Sequence, residues 1–116
     1  MPLNDTLLNI GAAAMQTAAA YAAIHTATPN GSGSNQSSAG RQAITWVTAA
    51  NGDMVATVDL PFTGGEANGP APVVGFWSAS SAGTFYGYKE ITSGDVEFNA
   101  AGEITVTSIT FTGTAT

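Results

Sequence analysis

Apolar and polar residues alternate with a period of two in several short runs of this chain, but its start is different. There Leu3, Leu7, Ile10, Ala14, Ala18 and Tyr21 recur at three- and four-residue steps, the spacing of one helix face. Alanine dominates from Ala12 to Ala23, and Asn4 stands where an N-cap belongs, with Asp5 placed to meet the helix dipole. The pattern predicts a helix over residues 4 to about 21. Its stripe is thin, because alanines gain little from burial at about 25 cal/mol per Å². Two uses of it stand side by side: a helix lying against its own sheet, or an arm packing on a neighbouring subunit.

After Tyr21 the spacing is that of strands. "AAIHTAT" (Ala22 to Thr28) is stopped by Pro29 and Asn30-Gly31, and "RQAITWVTA" (Arg41 to Ala49) follows a polar stretch. Asn51-Gly52 suits a type I′ hairpin turn. Beyond it Met54, Ala56, Val58, Leu60 and Phe62 alternate with Val55, Thr57, Asp59 and Pro61, the mark of a half-buried strand. A loop rich in Gly and Pro (Thr63 to Pro72) leads to "VVGFWSAS" and "GTFYGYKEI", two strands about a turn at Ser80 to Gly83. A short strand "DVEF", a turn at "NAAG" and a last strand "EITVTSITFT" complete the chain. In that strand Ile104 and Val106 share a face, whereas Ile109 and Phe111 are out of phase. A bulge near Thr107–Ser108 restores a common face. About seven short strands separated by turn signals predict an antiparallel sandwich or small barrel.

The stretch from Asn30 to Gly40 is long for a loop without structure of its own, and such loops are functional or mobile. Its glycines and serines make ordering costly. It is expected to be loose in the isolated protein and to gain protection when a neighbour covers it.

Composition sharpens this picture at one point. Charged residues make up 9% of the 116, against about 25% in ordinary proteins. The surface must then be mostly Thr, Ser, Asn, Gly and Ala, which resists association weakly even with a net charge of −6. Part of it is expected to lie against other subunits. Only Arg41 and Lys89 could neutralise phosphates, so neither nucleic acid nor an anionic membrane is an expected partner. There is no cysteine, hence no disulfide or thiolate metal site. The N-terminal segment lacks the basic residues of a secretory signal, and no apolar run has the length of a membrane span.

Little catalytic chemistry is in reach. His25, the single histidine, lies between alanines in a strand, which points to a structural, hydrogen-bonded role rather than a catalytic or metal-binding one. The carboxylates are scattered; Asp95 and Glu97 share a strand face and Glu66 sits in the Gly/Pro loop, without the spacing of a glycosidase pair. The glycines of "NGSGSNQSSAG" form no phosphate loop, and no series of acids spells a calcium site. No cofactor is expected. Phe76, Trp77, Phe85, Tyr86 and Tyr88 crowd two adjacent strands, where they either fill the core, as expected of Trp46 also, or form a sugar-stacking platform. Arg41 opens a strand at the end of the polar loop. Its fork is expected to pin that end through a carboxylate or loop carbonyls, or else to pair across a subunit boundary.

Several pieces in order carry a resemblance: His25–Thr26, Pro29, the Gly/Asn/Ser loop, then Arg41–Gln42–Ala43–Ile44–Thr45–Trp46. Later come Gly75–Phe76–Trp77 and Gly83–Thr84–Phe85. Over residues 21 to 112 the chain resembles the small β-sandwich virion proteins of tailed bacteriophages, described as tail-fibre-like or minor structural proteins, particularly of actinobacteriophages. The resemblance implies a mainly β protein, a single antiparallel β-sandwich, jelly-roll or immunoglobulin-like. Together with the helix read from the apolar spacing it divides the chain into an N-terminal helix or arm, residues 1–22, and a sandwich domain, residues 23–116. It also implies a structural, non-enzymatic role in the virion. A receptor-binding fibre is expected to add a shaft or further domain. The favoured expectation is therefore a homo-oligomeric capsid decoration protein, with the major capsid protein and its own copies as partners. Leu3, Leu7, Ile10, Ala14, Ala18 and Arg41 are the candidate assembly residues. A minor tail or tail-fibre subunit that recognises a host surface glycan is the alternative.

Overall fold

A computed structural model describes residues 4–46, 54–55, 59–91, 96–107 and 110–111. Leu3, the Asn51-Gly52 turn and the Ser108 side of the expected bulge lie outside the described residues. The elements in chain order are α1 (Asp5–Ala18), β1 (Tyr21–His25), β2 (Gln42–Ala43), β3 (Met54–Val55), β4 (Leu60–Phe62), β5 (Val73–Trp77), β6 (Phe85–Glu90), β7 (Ile104–Val106) and β8 (Thr110–Phe111). The protein is mainly β, and among the described residues there is one helix and every strand pair is antiparallel.

The helix begins where its cap predicts. The Asn4 Oδ1 accepts the Leu7 N–H at 2.9 Å, satisfying a donor that the first turn leaves without a helical partner. Asn4→Ala is expected to cost about 1 kcal/mol, read as a lowered urea midpoint. The helix stops at Ala18, before the expected Tyr21, because tertiary donors claim the carbonyls of Ala19 and Ala20. Trp46 Nε1–H donates to Ala19 O at 3.0 Å, and the Ile44 N–H to Ala20 O at 2.9 Å. Ala19 and Ala22 are buried in the core, so the chain turns from helix to strand against that core.

The principal sheet has the order β2-β1-β5-β6, while β4 pairs with β7 and β3 with β8. On one face of the sheet Ala22 and Ile24 stand opposite Phe76 and Val74. They share a core with Leu60 and Phe62 of β4, Ile104 and Val106 of β7, and Ala39, Ala71 and Phe98. The alternation read along "LPF" and "ITV" holds, since Pro61 and Thr105 point out while their neighbours are buried.

Strands β1 and β5 break that alternation. Ala22 to His25 and all of Val73 to Trp77 are buried, so this pair is covered on both faces. Strands buried on two sides read as continuous apolar runs, which accounts for "AAI" and "VVGFW". One cover is the core. The other is the polar stretch after β1, described below. The turn expected at "NAAG" is present, closed by Gly102 N–H on Asn99 O and Asn99 N–H on Glu103 O. Of "DVEF", the described part makes a single bridge, Glu97 to Pro70, flanked by bonds from Ala71 N–H to Val96 O and from Phe98 N–H to Gly69 O.

Candidate functional site

The excursion after β1 closes back on the strand it leaves. Thr26 N–H donates to Asn35 O and Ser37 N–H to Ile24 O, both at 2.8 Å, and Gln36 bridges His25. Its tip is tied by side chains: Asn30 Oδ1 accepts from the Ser32 N–H at 2.9 Å and the Ser34 N–H at 3.3 Å, an Asx-type closure. Ser34 Oγ accepts from the Asn30 N–H at 2.9 Å, and Asn35 Nδ2 donates to Thr28 O at 3.3 Å. The expectation of a loose loop is corrected on this point, because backbone bonds to β1 and the Asn30 side chain offset the entropy of its glycines and serines.

Beneath the loop lies an aromatic cluster centred on His25, which is fully buried. Its Nδ1 is 2.8 Å from Ser34 O, and its Nε2 lies 3.4 Å from the indole N–H of Trp77. A carbonyl can only accept and an indole N–H can only donate. The ring is therefore neutral, with its proton on Nδ1. The His25 and Trp77 planes are within 6° of parallel, and Phe85 lies tilted against both rings. Two glycines make the room. A Cβ on Gly75 would run into His25 Nε2, and one on Gly33 would come within 2.5 Å of Trp77.

Arg41 closes the cluster. Its guanidinium carbon lies 3.8 Å from the centre of the Trp77 ring, a cation–π contact. One of its terminal nitrogens donates to Ala79 O at 2.9 Å and Ala82 O at 2.8 Å, and the other to Gln36 Oε1 at 3.0 Å. It thus pins the excursion, as its position after the loop predicts, by fastening it to the turn between β5 and β6. Its partners among the described residues are carbonyls and a side-chain amide rather than a carboxylate.

The electrostatics of His25 follow from this setting. Burial holds its pKa below the ordinary 6.5, the bond to Ser34 O works against that shift, and the charge of Arg41 adds to it. The unfolded chain therefore takes up a proton more readily than the folded one. This contribution to stability is complete above pH 6.5. It is lost as pH falls from there toward the folded pKa, at no more than about 1.4 kcal/mol per pH unit.

The helix residues form a second, separate region. Leu7 is 51% exposed and Ile10 62%, and Ala14 is also exposed. The helix packs instead through Ala12, which is fully buried, and Leu8, which is half-buried. These lie on a different side from the stripe read from the apolar spacing. Met15, absent from that stripe, is 54% exposed. Next to it an open groove of about 380 Å³ runs between the end of α1 and β6, lined by Met15, Ala18, Trp46, Phe76, Tyr86 and Tyr88.

Of the candidate assembly residues, Leu7, Ile10 and Ala14 thus stand exposed on one helix and Ala18 lines the groove. Arg41 belongs to the other cluster. Met15, Tyr86 and Tyr88 were not singled out for this surface by spacing. Of the five aromatics of β5 and β6, Phe76 and Trp77 are buried and Phe85 is half-buried, whereas Tyr86 and Tyr88 are exposed. Among the described residues no group of three or more His, Cys, Asp or Glu side chains could hold a metal, and no helix is long and apolar enough to cross a membrane. No family model matches this chain, and neither the curated proteins nor the solved structures contain a match.

Proposed function

We propose that this chain is a non-enzymatic structural protein of a tailed-phage virion, most simply a capsid decoration (minor capsid) protein docking on the major capsid protein. In this reading the strands from β1 onward form a jelly-roll or immunoglobulin-like sandwich, with Tyr21 and Ala22 belonging to it rather than to the arm, and α1 is the docking arm. The observation that carries it is the exposure of Leu7, Ile10 and Met15 along α1. Large apolar side chains grouped on an otherwise polar surface mark a place where another protein sits. A chain with 9% charged residues has little else to keep such a helix from associating.

The alternative, a minor tail or tail-fibre subunit that binds a host glycan, draws on Tyr86 and Tyr88, exposed beside Trp46 at the groove. Sugar sites pair such rings with several hydrogen-bonding side chains. Here the lining offers the tyrosine hydroxyls and is otherwise almost entirely apolar. The groove is better suited to apolar side chains of a protein partner.

The helix separates the readings. Ile10→Asp places a charge on an exposed position, so the fold should keep its thermal midpoint. Binding of the purified chain to particles lacking it is expected to weaken at least about tenfold, the scale of one lost apolar anchor. Binding unchanged by both Ile10→Asp and Leu7→Asp would remove the helix from the docking surface.

A further inference from the structure

We propose that His25 is an acid-sensitive latch: uptake of a proton at Nε2 releases the excursion between Thr26 and Ser37 from the principal sheet and uncovers Trp77 and Phe85. The geometry satisfies both ring nitrogens in one protonation state only. With the proton on Nδ1, Ser34 O is served and Nε2 is free to accept from Trp77. A second proton turns Nε2 into a donor facing the indole donor, and a cation then lies buried beside the ring that already carries Arg41.

Among the described residues no counter-ion faces that cation. The loop presents Gly33 and Ser34, β5 presents Gly75 and Trp77, and β6 presents Phe85. The charged group facing the ring is Arg41 itself, whose charge disfavours a second cation. Across the sheet the nearest titratable groups in register are Tyr88, beyond Gly75, and Glu90, beyond Val73, both exposed on β6. The bond to Ser34 O strengthens when the ring is charged and opposes release, but it is one bond against burial, the lost acceptor and the Arg41 charge.

The loop is able to yield on its own. Its backbone ties to β1 are the Thr26–Asn35 and Ser37–Ile24 bonds, and Gly33 rests on Trp77 and Phe85 without a side chain to anchor it. The far end stays fastened, with Ala39 buried in the core, Ser38 Oγ–H on Gly64 O and Gly40 N–H on Thr63 O. Opening residues 26–37 therefore leaves the β4–β7 pair in place, at a fraction of the cost of global unfolding.

The test is amide exchange by NMR from about pH 7.5 to about 4.5, corrected for the intrinsic pH dependence of exchange, with the His25 ring nitrogens followed in the same samples. Protection of the Thr26 and Ser37 amides is expected to fall as pH drops from about 6.5 toward the lower midpoint of the ring in the folded protein, by at most about tenfold per pH unit, and to level off below it, as one-proton linkage requires. The amides joining β1 to β5 should fall much less. His25→Gln should flatten the loop profile; should that variant not fold, the comparison within the unaltered chain still decides. Loop protection independent of pH would overturn the latch. Loop and sheet amides falling together would also overturn it, because protonation would then unfold the whole domain.

Discussion

Trp77→Ala is expected to cost about 3–5 kcal/mol of folding stability, the scale of removing a buried large aromatic. That is a large share of the roughly 5–15 kcal/mol that a domain possesses. The side chain earns this weight from its position between three groups. It is buried on β5, donates to His25 Nε2, carries Arg41 on its face and supports Gly33 of the loop. Trp77→Phe keeps most of the packing but removes the indole N–H and weakens the cation–π contact, for an expected loss of about 1–2 kcal/mol. Urea unfolding of the two variants reads the difference. A loss below about 1 kcal/mol for Trp77→Ala would mean that the cluster contributes little to the fold.

The second large effect is expected at Gly75. Its backbone φ is not in the left-handed region, so a side chain there is not excluded by conformation. What forbids one is contact, because the new Cβ would meet His25 Nε2 and Cδ2. Gly75→Ala is therefore expected to lose about 1–3 kcal/mol by overpacking. His25→Ala removes the obstruction, so in the double variant the Gly75→Ala change should cost at least about 1 kcal/mol less than in the unaltered chain. Additivity within about 0.5 kcal/mol would show that the two positions do not press on each other.

What the sequence discloses here depends on how local the cause is. The Asn4 cap, the "NAAG" turn and the alternation through "LPF" and "ITV" are set by neighbours within a few residues, and each is found where it is read. His25 between alanines is legible as a structural histidine, and Arg41 as the pin of the loop. The partners of Arg41 are not legible. Ala79 and Ala82 lie 38 and 41 residues away, and the acceptors are backbone carbonyls, which carry no side-chain signature.

The helix face misled for a related reason. In an alanine-rich segment the period fixes a stripe but not which way it turns. Trp46 and Ile44, bonding to Ala19 O and Ala20 O, set that direction through tertiary contacts. The groove has no local signature in the sequence, because Met15, Trp46, Tyr86 and Tyr88 come from three separated segments. The loop between Asn30 and Gly40 was read by composition, which registers entropy but not the bonds that Asn30 and the backbone of Asn35 and Ser37 make to order it.

The central functional claim is that α1 and the groove beside it dock this domain repeatedly on a shell. The direct measurement is the number of copies of this chain per particle, by quantitative mass spectrometry of purified virions against the major capsid protein. The decoration reading predicts hundreds of copies, in a fixed simple ratio to the shell protein. A handful of copies, near a small multiple of three or six, would contradict it in favour of the tail, and absence from the particle would contradict the virion role itself.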